Sequence, residues 1–332
     1  MRTSQAEIAE NLGLSQQAVS KALRGDADIS AKVRERVEAE AKRLGYRKNK
    51  LARSLLSGTT GLVGLFLPNF SSPYFLNLFN AIEDGLGQNG YQVLAKRWDR
   101  HTGSDAVDLD ALLQYRVDGL LVSPRHDTAW EDSVYAELLG REMKMVSVSG
   151  RVGLPGIPHV GSDDLGGANT AVKHLLANGH RSIVYVGPAD SPDPAIVNRR
   201  SGYLKTMADA GLEAKELDVL DARLDSLLST ARPTAFFCGG DLTAVELIRL
   251  LRERNLAVPN DISVMGYGDN LACPQEMKVP LTTVSQHSER IGATAVEMLM
   301  KLLAGQDVAD VDIPAEIIVR ESVKCINNRS GT

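Results

Sequence analysis

Within residues 4–23 two short helical segments meet at one glycine, and this spacing restricts that stretch to a tight helical hairpin. Ser4-Gln5-Ala6-Glu7 has capping-box spacing, in which a serine hydroxyl and a glutamate three residues on satisfy each other's free amides at a helix start. Ile8 and Leu12 fall one turn apart on one face, with the small Ala9 beside them where a second helix can approach closely. Gly13 supplies the turn, and Ser15 is placed to cap a helix whose apolar side is Val19, Ala22 and Leu23. Its other side carries Gln16, Gln17, Ser20 and Lys21, residue types that read base edges and bind phosphates. A merely solvated hairpin would share some of these features; capping, turn and close packing at Ala9, Gly13 and Val19 together are what a DNA-reading helix-turn-helix requires.

A third helix is expected after Ser30, with Val33, Val37, Ala41 and Leu44 at helical spacing and Gly45 as its left-handed stop, so that three helices bury one small core. Charge follows the same division. Residues 1–57 hold twelve Lys and Arg against seven Asp and Glu, net +5, whereas the remainder holds 25 against 35, net −10. A basic head on an acidic body confines phosphate binding to the head.

At 332 residues the chain has room for a second, larger domain. From Leu62 onward short apolar runs alternate with helical patterns: strands at 62–67, 91–95, 119–122 and 145–148, helices at 75–88, 106–115 and 131–140. The rhythm restarts near Leu165, with strands at 183–187, 235–238 and 263–267 and helices at 166–178, 199–210 and 242–254. A long helix at 287–303 and a strand at 316–320 close the pattern. Asn89-Gly90 and Asn178-Gly179, each ending a helix before a strand, are an internal echo of two similar lobes. The expectation is an α/β body of two parallel-sheet lobes, crossed by the chain near Ser162, Val284 and Arg320, with a ligand cleft at the strand carboxyl ends.

Five blocks in order carry a resemblance: Val19-Ser20-Lys21-Ala22-Leu23; Tyr46-x-x-Asn49-x-x-Ala52-Arg53-Ser54-Leu55; Asn178-Gly179-His180-Arg181-Ser182-Ile183; Gly266-Tyr267-Gly268-Asp269; and Pro280-Leu281-Thr282-Thr283-Val284. In these the chain resembles the lactose-repressor (LacI) family of bacterial transcription regulators, whose body has the periplasmic-binding-protein fold. The resemblance implies a helix-turn-helix domain at 1–45, a hinge helix and linker at 46–60 and an effector-binding and dimerisation domain at 61–332. Within that body, one lobe is expected at about 61–161 and 286–318 and the other at about 162–284 and 319–325.

The resemblance further implies a homodimer on near-palindromic operator DNA, its recognition helices ~34 Å apart in successive major grooves. The DNA contacts expected are Ser15, Gln16, Gln17, Ser20, Lys21, Ser30, Tyr46, Asn49, Arg53 and Leu55, with Leu55 wedged into the minor groove. Lys48 stands where the family usually has proline. A small-molecule effector, a sugar, sugar acid or sugar phosphate, is expected between the lobes at Asn69, Ser71, Tyr74, Phe75, Ser123, Ser149, Arg199, Asp241 and Asp269, with no cofactor or metal. Phe75 reads equally well as core.

Glycines at 150, 240 and 268, where sugar-binding members often carry acidic or amide side chains, suggest a wider and less acidic cleft. The segment Asp221-Ala222-Arg223-Leu224 also lacks the family's aromatic ring. If Arg199 has lost a partner at Gly268, its charge must be met by Asp269 or Asp241, or by an anionic effector.

The alternatives are a cytosolic carbohydrate-binding protein or an enzyme on the same two-lobed fold. Against an enzyme, there is no Gly-x-Gly-x-x-Gly after the first strand, no P-loop and no Gly-x-Ser-x-Gly turn. Cys238, Cys273 and Cys325 are odd in number and lack metal-ligand spacing, no apolar run approaches the ~20 residues that span a bilayer, and no signal-peptide pattern opens the sequence. These features fit a cytoplasmic protein. No leucine heptads follow Lys324, so a tetramer built on a helical tail is not expected.

Overall fold

The computed structural model describes residues 4–46, 58–98, 104–125, 133–269 and 279–326. The chain divides into two units, Met1–Thr60 and Gly61–Thr332. In the first, three serines start three helices. Ser4 Oγ accepts Glu7 N–H (3.3 Å) for α1 (Gln5–Leu12), Ser15 Oγ accepts Ala18 N–H (3.1 Å) for α2 (Gln16–Arg24), and Ser30 Oγ accepts Val33 N–H (3.4 Å) for α3 (Ala31–Arg43). Gly13 ends α1 in the left-handed conformation, φ 62°, and its amide returns to Ala9 and Glu10 carbonyls. Ile8, Ala9, Val19, Ala22, Leu23, Val37 and Ala41 form the buried centre of this unit, with Leu12, Val33, Leu44 and Tyr46 packed around it.

The second unit is built on two six-stranded sheets. The first contains β1 (Leu62–Leu67), β2 (Gln92–Arg97), β3 (Gly119–Val122), β4 (Lys144–Val148), β5 (His159–Ser162) and β11 (Val311–Ile313), in the order β11-β5-β4-β3-β1-β2, with every pairing parallel. The second contains β6 (Ile183–Val186), β7 (Lys215–Leu217), β8 (Ala235–Cys238), β9 (Ser263–Gly268), β10 (Thr282–Ser285) and β12 (Glu316–Ile318), ordered β12-β10-β9-β8-β6-β7. It too is parallel except at its edge, where β12 runs antiparallel to β10. Strands β1, β3, β6, β8 and β9 are almost wholly buried, as parallel strands covered by helices on both faces must be.

Helices α4 (Pro73–Gln88), α5 (Asp105–Leu113), α6 (Val134–Gly140) and α11 (Ser288–Leu303) flank the first sheet. The second is flanked by α7 (Asp164–Ala177), α8 (Pro194–Asp209), α9 (Arg223–Thr230) and α10 (Asp241–Glu253).

Two expectations are corrected. The third crossing between lobes lies at 314–315 and not at Arg320, because Glu316–Ile318 pairs with Thr283–Ser285 in the second sheet and so belongs to the second lobe. Helix α8 begins at Pro194, with Asp193 accepting Ala195 N–H as its cap, five residues before the start expected at Arg199. The short strands β5, β7, β10 and β11, of three or four residues each, carry too few apolar positions to have shown as runs.

The echo is real in structure: Gly90 (φ 80°) and Gly179 (φ 91°) are left-handed residues that lead from α4 to β2 and from α7 to β6. Helices α7 and α8 touch where Gly202 lacks a side chain; a Cβ there would lie 2.7 Å from both Ala168 Cβ and Leu165 O. Gly202→Ala is therefore expected to destabilise the protein by about 1–3 kcal/mol in denaturant unfolding. Gly87→Ala, at an exposed helical site where a Cβ meets nothing within 4 Å, is expected to be neutral or stabilising under the same measurement.

Candidate nucleic-acid interface and ligand cleft

On α2 the residues opposite the buried Val19, Ala22 and Leu23 form one outward face. Ser15, Gln16 and Gln17 are exposed, and Ser20 and Lys21 are half-buried. The two glutamines offer amide donors and acceptors at the helix start, the chemistry that pairs with adenine edges. Lys21 Nζ lies 3.0 Å from Asp28, and Arg24 donates to Ser20 Oγ and pairs with Asp26, both at 3.0 Å. Ser15 and Ser30 use their hydroxyl oxygens as caps, while Tyr46 accepts a hydrogen bond from Gln5 Nε2 at 3.0 Å and so braces the three-helix unit. Asn49, Arg53 and Leu55 lie outside the described residues.

In the second unit a cavity of about 460 Å³ opens at the carboxyl ends of both sheets. From the first lobe, Asn69, Tyr74, Phe75, Trp98, Ser123, Ser149 and Gly150 line it; from the second come Asp164, Asp193, Arg199, Gly240, Asp241 and Tyr267, with Gln286 at the second crossing. Seven of the nine expected effector residues are thus brought together. Ser71 is absent from the wall, because Asn69 Oδ1 folds back to accept the amides of Ser71 and Ser72 (3.1 and 2.8 Å) in a turn that leaves Ser71 exposed. Asp269 also stays outside, held by Arg320 at 2.7 Å. Phe75 fills both roles considered for it, packing on the first-lobe core and facing the cavity.

The guanidinium of Arg199 is already paired, and by neither residue expected to do so. Its Nε donates to Asp164 Oδ1 at 2.9 Å, its Nη1 donates to the Gly239 carbonyl at 2.8 Å, and its Cζ lies 4.2 Å from the centre of the Tyr267 ring. Both members of the pair are deeply buried, Arg199 with 12% and Asp164 with 8% of its side chain exposed. Burial pushes the Asp164 carboxyl up from its ordinary range and Arg199 holds part of that rise back. For Arg199 burial works downward, but Asp164 and then Tyr267 more than reverse it, so the cation is strongly favoured.

Asp241 accepts instead from Thr283 Oγ1, and Asp193 is occupied with the α8 cap. Three carboxylates, Asp164, Asp193 and Asp241, therefore face one guanidinium in the wall. Gly150 and Gly240 line the cavity, and its acidic groups come from other positions. Tyr74 and Ser149 hydroxyls share a hydrogen bond of 2.7 Å, and burial raises Tyr74 above its usual range, keeping it a neutral phenol.

Trp98, Asp164, Asp193, Tyr267 and Gln286 were missed as site residues. Trp98 directly follows β2, a strand expected from the sequence, so scoring the position after each strand carboxyl end would have found it; Asp164 lies two residues past β5, which showed no apolar run. Among the described residues there is no metal-binding cluster, and no helix is long and apolar enough to cross a membrane. His180, which lies in one of the five sequence blocks, is wholly buried between Thr234 Oγ1 and the Lys324 carbonyl, both at 3.1 Å, and packs the second lobe.

Comparison with known proteins agrees with this architecture. Residues 172–323 match the periplasmic binding protein-like domain family. Among curated proteins, the HTH-type transcriptional repressor PurR of Histophilus somni is 27% identical over 96% of this chain and 98% of its own length, and catabolite control protein A of Priestia megaterium is 28% identical over 96% and 98%. Among solved structures, the lac repressor dimer bound to operator and the anti-inducer ONPF superposes with a TM-score of 0.84 at 26% identity, covering 98% of this chain and all of that one. These relatives are transcription regulators and not enzymes, and their similarity runs through the head as well as the body. With its helix-turn-helix unit, its two parallel-sheet lobes and the cleft between them, the chain has a lac repressor-like fold and is similar over nearly its whole length to DNA-binding transcription regulators.

Proposed function

We propose that this regulator is a dimeric repressor of carbohydrate-related genes, released from or recruited to a near-palindromic operator by a neutral sugar bound in the cleft. The observation that carries the reading is the closed Arg199–Asp164 pair beside Asp193 and Asp241. A guanidinium already neutralised does not call for an anion, and two further carboxylates disfavour one. What the wall offers is hydrogen-bond acceptors for hydroxyl groups, Tyr74 and Ser149 hydroxyls, and the ring surfaces of Tyr74, Phe75, Trp98 and Tyr267. Acceptors together with rings suit a polyol, whose hydroxyls donate at its edge and whose C–H faces lie on aromatic planes. The anionic sugar derivative expected from an unpaired Arg199 loses its premise.

Gating follows from where the contacts come from. A ligand touching residues of both lobes is bound best when they are closed on it, so its differential affinity shifts the lobe equilibrium and with it DNA affinity. That repression is the outcome is supported by the PurR relative, and dimerisation on operator by the lac repressor complex.

Two measurements test this. Calorimetric titration with neutral sugars, each beside its aldonic or uronic acid, is expected to show the neutral member binding at least tenfold tighter, about 1.4 kcal/mol. Tighter binding of the acids would overturn the reading. Arg199→Ala should lower neutral-sugar affinity and also destabilise the fold by about 3–5 kcal/mol, since it strands Asp164 as a buried charge; Arg199→Ala with Asp164→Asn should recover much of that stability but not the binding. For the head, Gln17→Ala is expected to cost about 1–3 kcal/mol on an operator selected from random duplexes and much less on unselected DNA. Equal losses on both would remove Gln17 from sequence reading.

A further inference from the structure

Beside the cleft, on the first lobe, lies a charged cluster that the function proposed above does not use. Arg125, just past the end of β3, is held by two carboxylates of α5: its guanidinium pairs with Asp105 and, at 2.7 Å, with Asp108. Asp105 also accepts the Arg125 amide at 3.1 Å and the Tyr135 hydroxyl at 2.6 Å. Both carboxylates are nearly inaccessible, with 3% and 1% of their side chains exposed, and Lys96 approaches Asp108 at 3.9 Å. A pair of buried carboxylates gripping one planar fork in two places fixes that fork in space.

What the fork lies on is Trp98. The Arg125 guanidinium carbon is 5.3 Å from the centre of the indole ring, within cation–π range. The indole is held at a second point, where Nε1 donates to the Ser123 carbonyl at 2.8 Å, and at a third, where its ring meets Phe66 at a 6.5 Å centroid distance. Trp98 and Ser123 line the cavity, whereas Arg125 does not. A large aromatic ring at a cavity wall would ordinarily be free to change rotamer; here it is fixed from three sides.

We propose that Trp98 is a specificity-determining wall of the effector site, carrying an apolar face of the ligand, and that Arg125 is the positioning residue that holds it, anchored by Asp105 and Asp108. The first half rests on the cleft being the effector site. The second half does not, because the orientation of Trp98 can be read without any effector. The cluster makes one wall of the cleft rigid before a ligand arrives, so binding is not taxed by ordering the ring.

The test uses the full chain carrying Trp130→Phe, which leaves Trp98 as the one tryptophan, since the sequence contains two. Quenching of its fluorescence by acrylamide, a neutral solute, reports how tightly the ring is held. Arg125→Met alone strands two buried carboxylates and invites misfolding, so the informative variant combines Arg125→Met with Asp105→Asn and Asp108→Asn. In that variant, shown by circular dichroism to be folded, the quenching constant should rise severalfold. Arg125→Lys keeps the charge but not the planar fork, and should also raise it. Quenching unchanged in both would overturn the positioning role, and quenching restored to the starting value by Lys would overturn its dependence on the fork. The second arm titrates the sugars of the calorimetric panel into Trp98→Leu, for which a loss of roughly tenfold in the affinity of the tightest neutral binder is expected, with Trp98→Phe retaining more. Undiminished affinity in Trp98→Leu would overturn its role as a wall even though the cleft binds sugar. A panel in which nothing binds the starting protein would overturn the sugar reading and the Trp98 assignment with it, while acrylamide still judges Arg125.

Discussion

The buried pair of Arg199 and Asp164 is the point on which the second lobe turns. It joins α7 to α8, reaches the Gly239 carbonyl beyond β8, and lies against Tyr267 of β9, so one guanidinium ties together four elements around the cleft. It exists because the two helices can come close, and they come close because residue 202 is a glycine over Ala168. A second small residue on α7 has the same effect toward the sheet: a Cβ on Gly167 would fall 2.4 Å from the Tyr267 hydroxyl. Buried ion pairs contribute little net stability once desolvation is counted. Burial pushes the Asp164 carboxyl up, the direction in which that cost acts. A pair that adds little to stability yet is enclosed this completely serves position, and what it positions is one wall of the cavity.

The two lobes present different chemistry to one cavity. The first supplies rings and hydroxyls whose own hydrogen bonds run within that lobe, as in the Tyr74–Ser149 contact and the Trp98–Ser123 contact. The second supplies a guanidinium paired within that lobe, Arg199–Asp164, and two further carboxylates, Asp193 and Asp241, that accept hydrogen bonds from Ala195 N–H and Thr283 Oγ1 of the same lobe. Gln286, at the second crossing, donates to Asp164 at 3.3 Å, so the connecting chain itself touches the central pair. A ligand in this space exchanges water for fixed groups on both sides, and its binding energy is available to the lobe equilibrium to the extent that it needs both.

Much of this was legible in the sequence, for reasons that differ by residue. The head was legible because capping serines, a left-handed glycine and an apolar stripe are local rules, and Ser4, Ser15, Ser30 and Gly13 obey them in place. The strands β1, β8 and β9 were legible because parallel strands buried on both faces read as apolar runs. The partner of Arg199 was not, because it follows a four-residue strand, His159–Ser162, whose sequence shows no such run. Two adjacent aspartates follow that strand; Asp163 caps α7 by accepting Gly166 N–H at 2.8 Å, and its neighbour reaches the arginine. Which of two adjacent carboxylates does which task is set by helix phase, and a misplaced helix start hides it. The same error, placing the start of α8 at Arg199 instead of Pro194, concealed Asp193 as a cap facing the cavity.

The acidic body and basic head set a further constraint on how such a molecule works. Net charge of −10 outside residues 1–57 against +5 within them means that DNA attracts one end of the chain and repels the other. Even in the head the cations are partly restrained: Lys21 and Arg24, on α2, are paired with Asp28 and Asp26. Exposed pairs of this kind are weak and screened by salt, worth about 0–1 kcal/mol each. Phosphates can therefore displace the aspartates at small cost, while random encounter with DNA gains less than the count of basic residues alone would suggest. In the function proposed above, sequence discrimination then falls more heavily on the uncharged Gln16 and Gln17, whose amides gain little from phosphate charge and much from the right base edge.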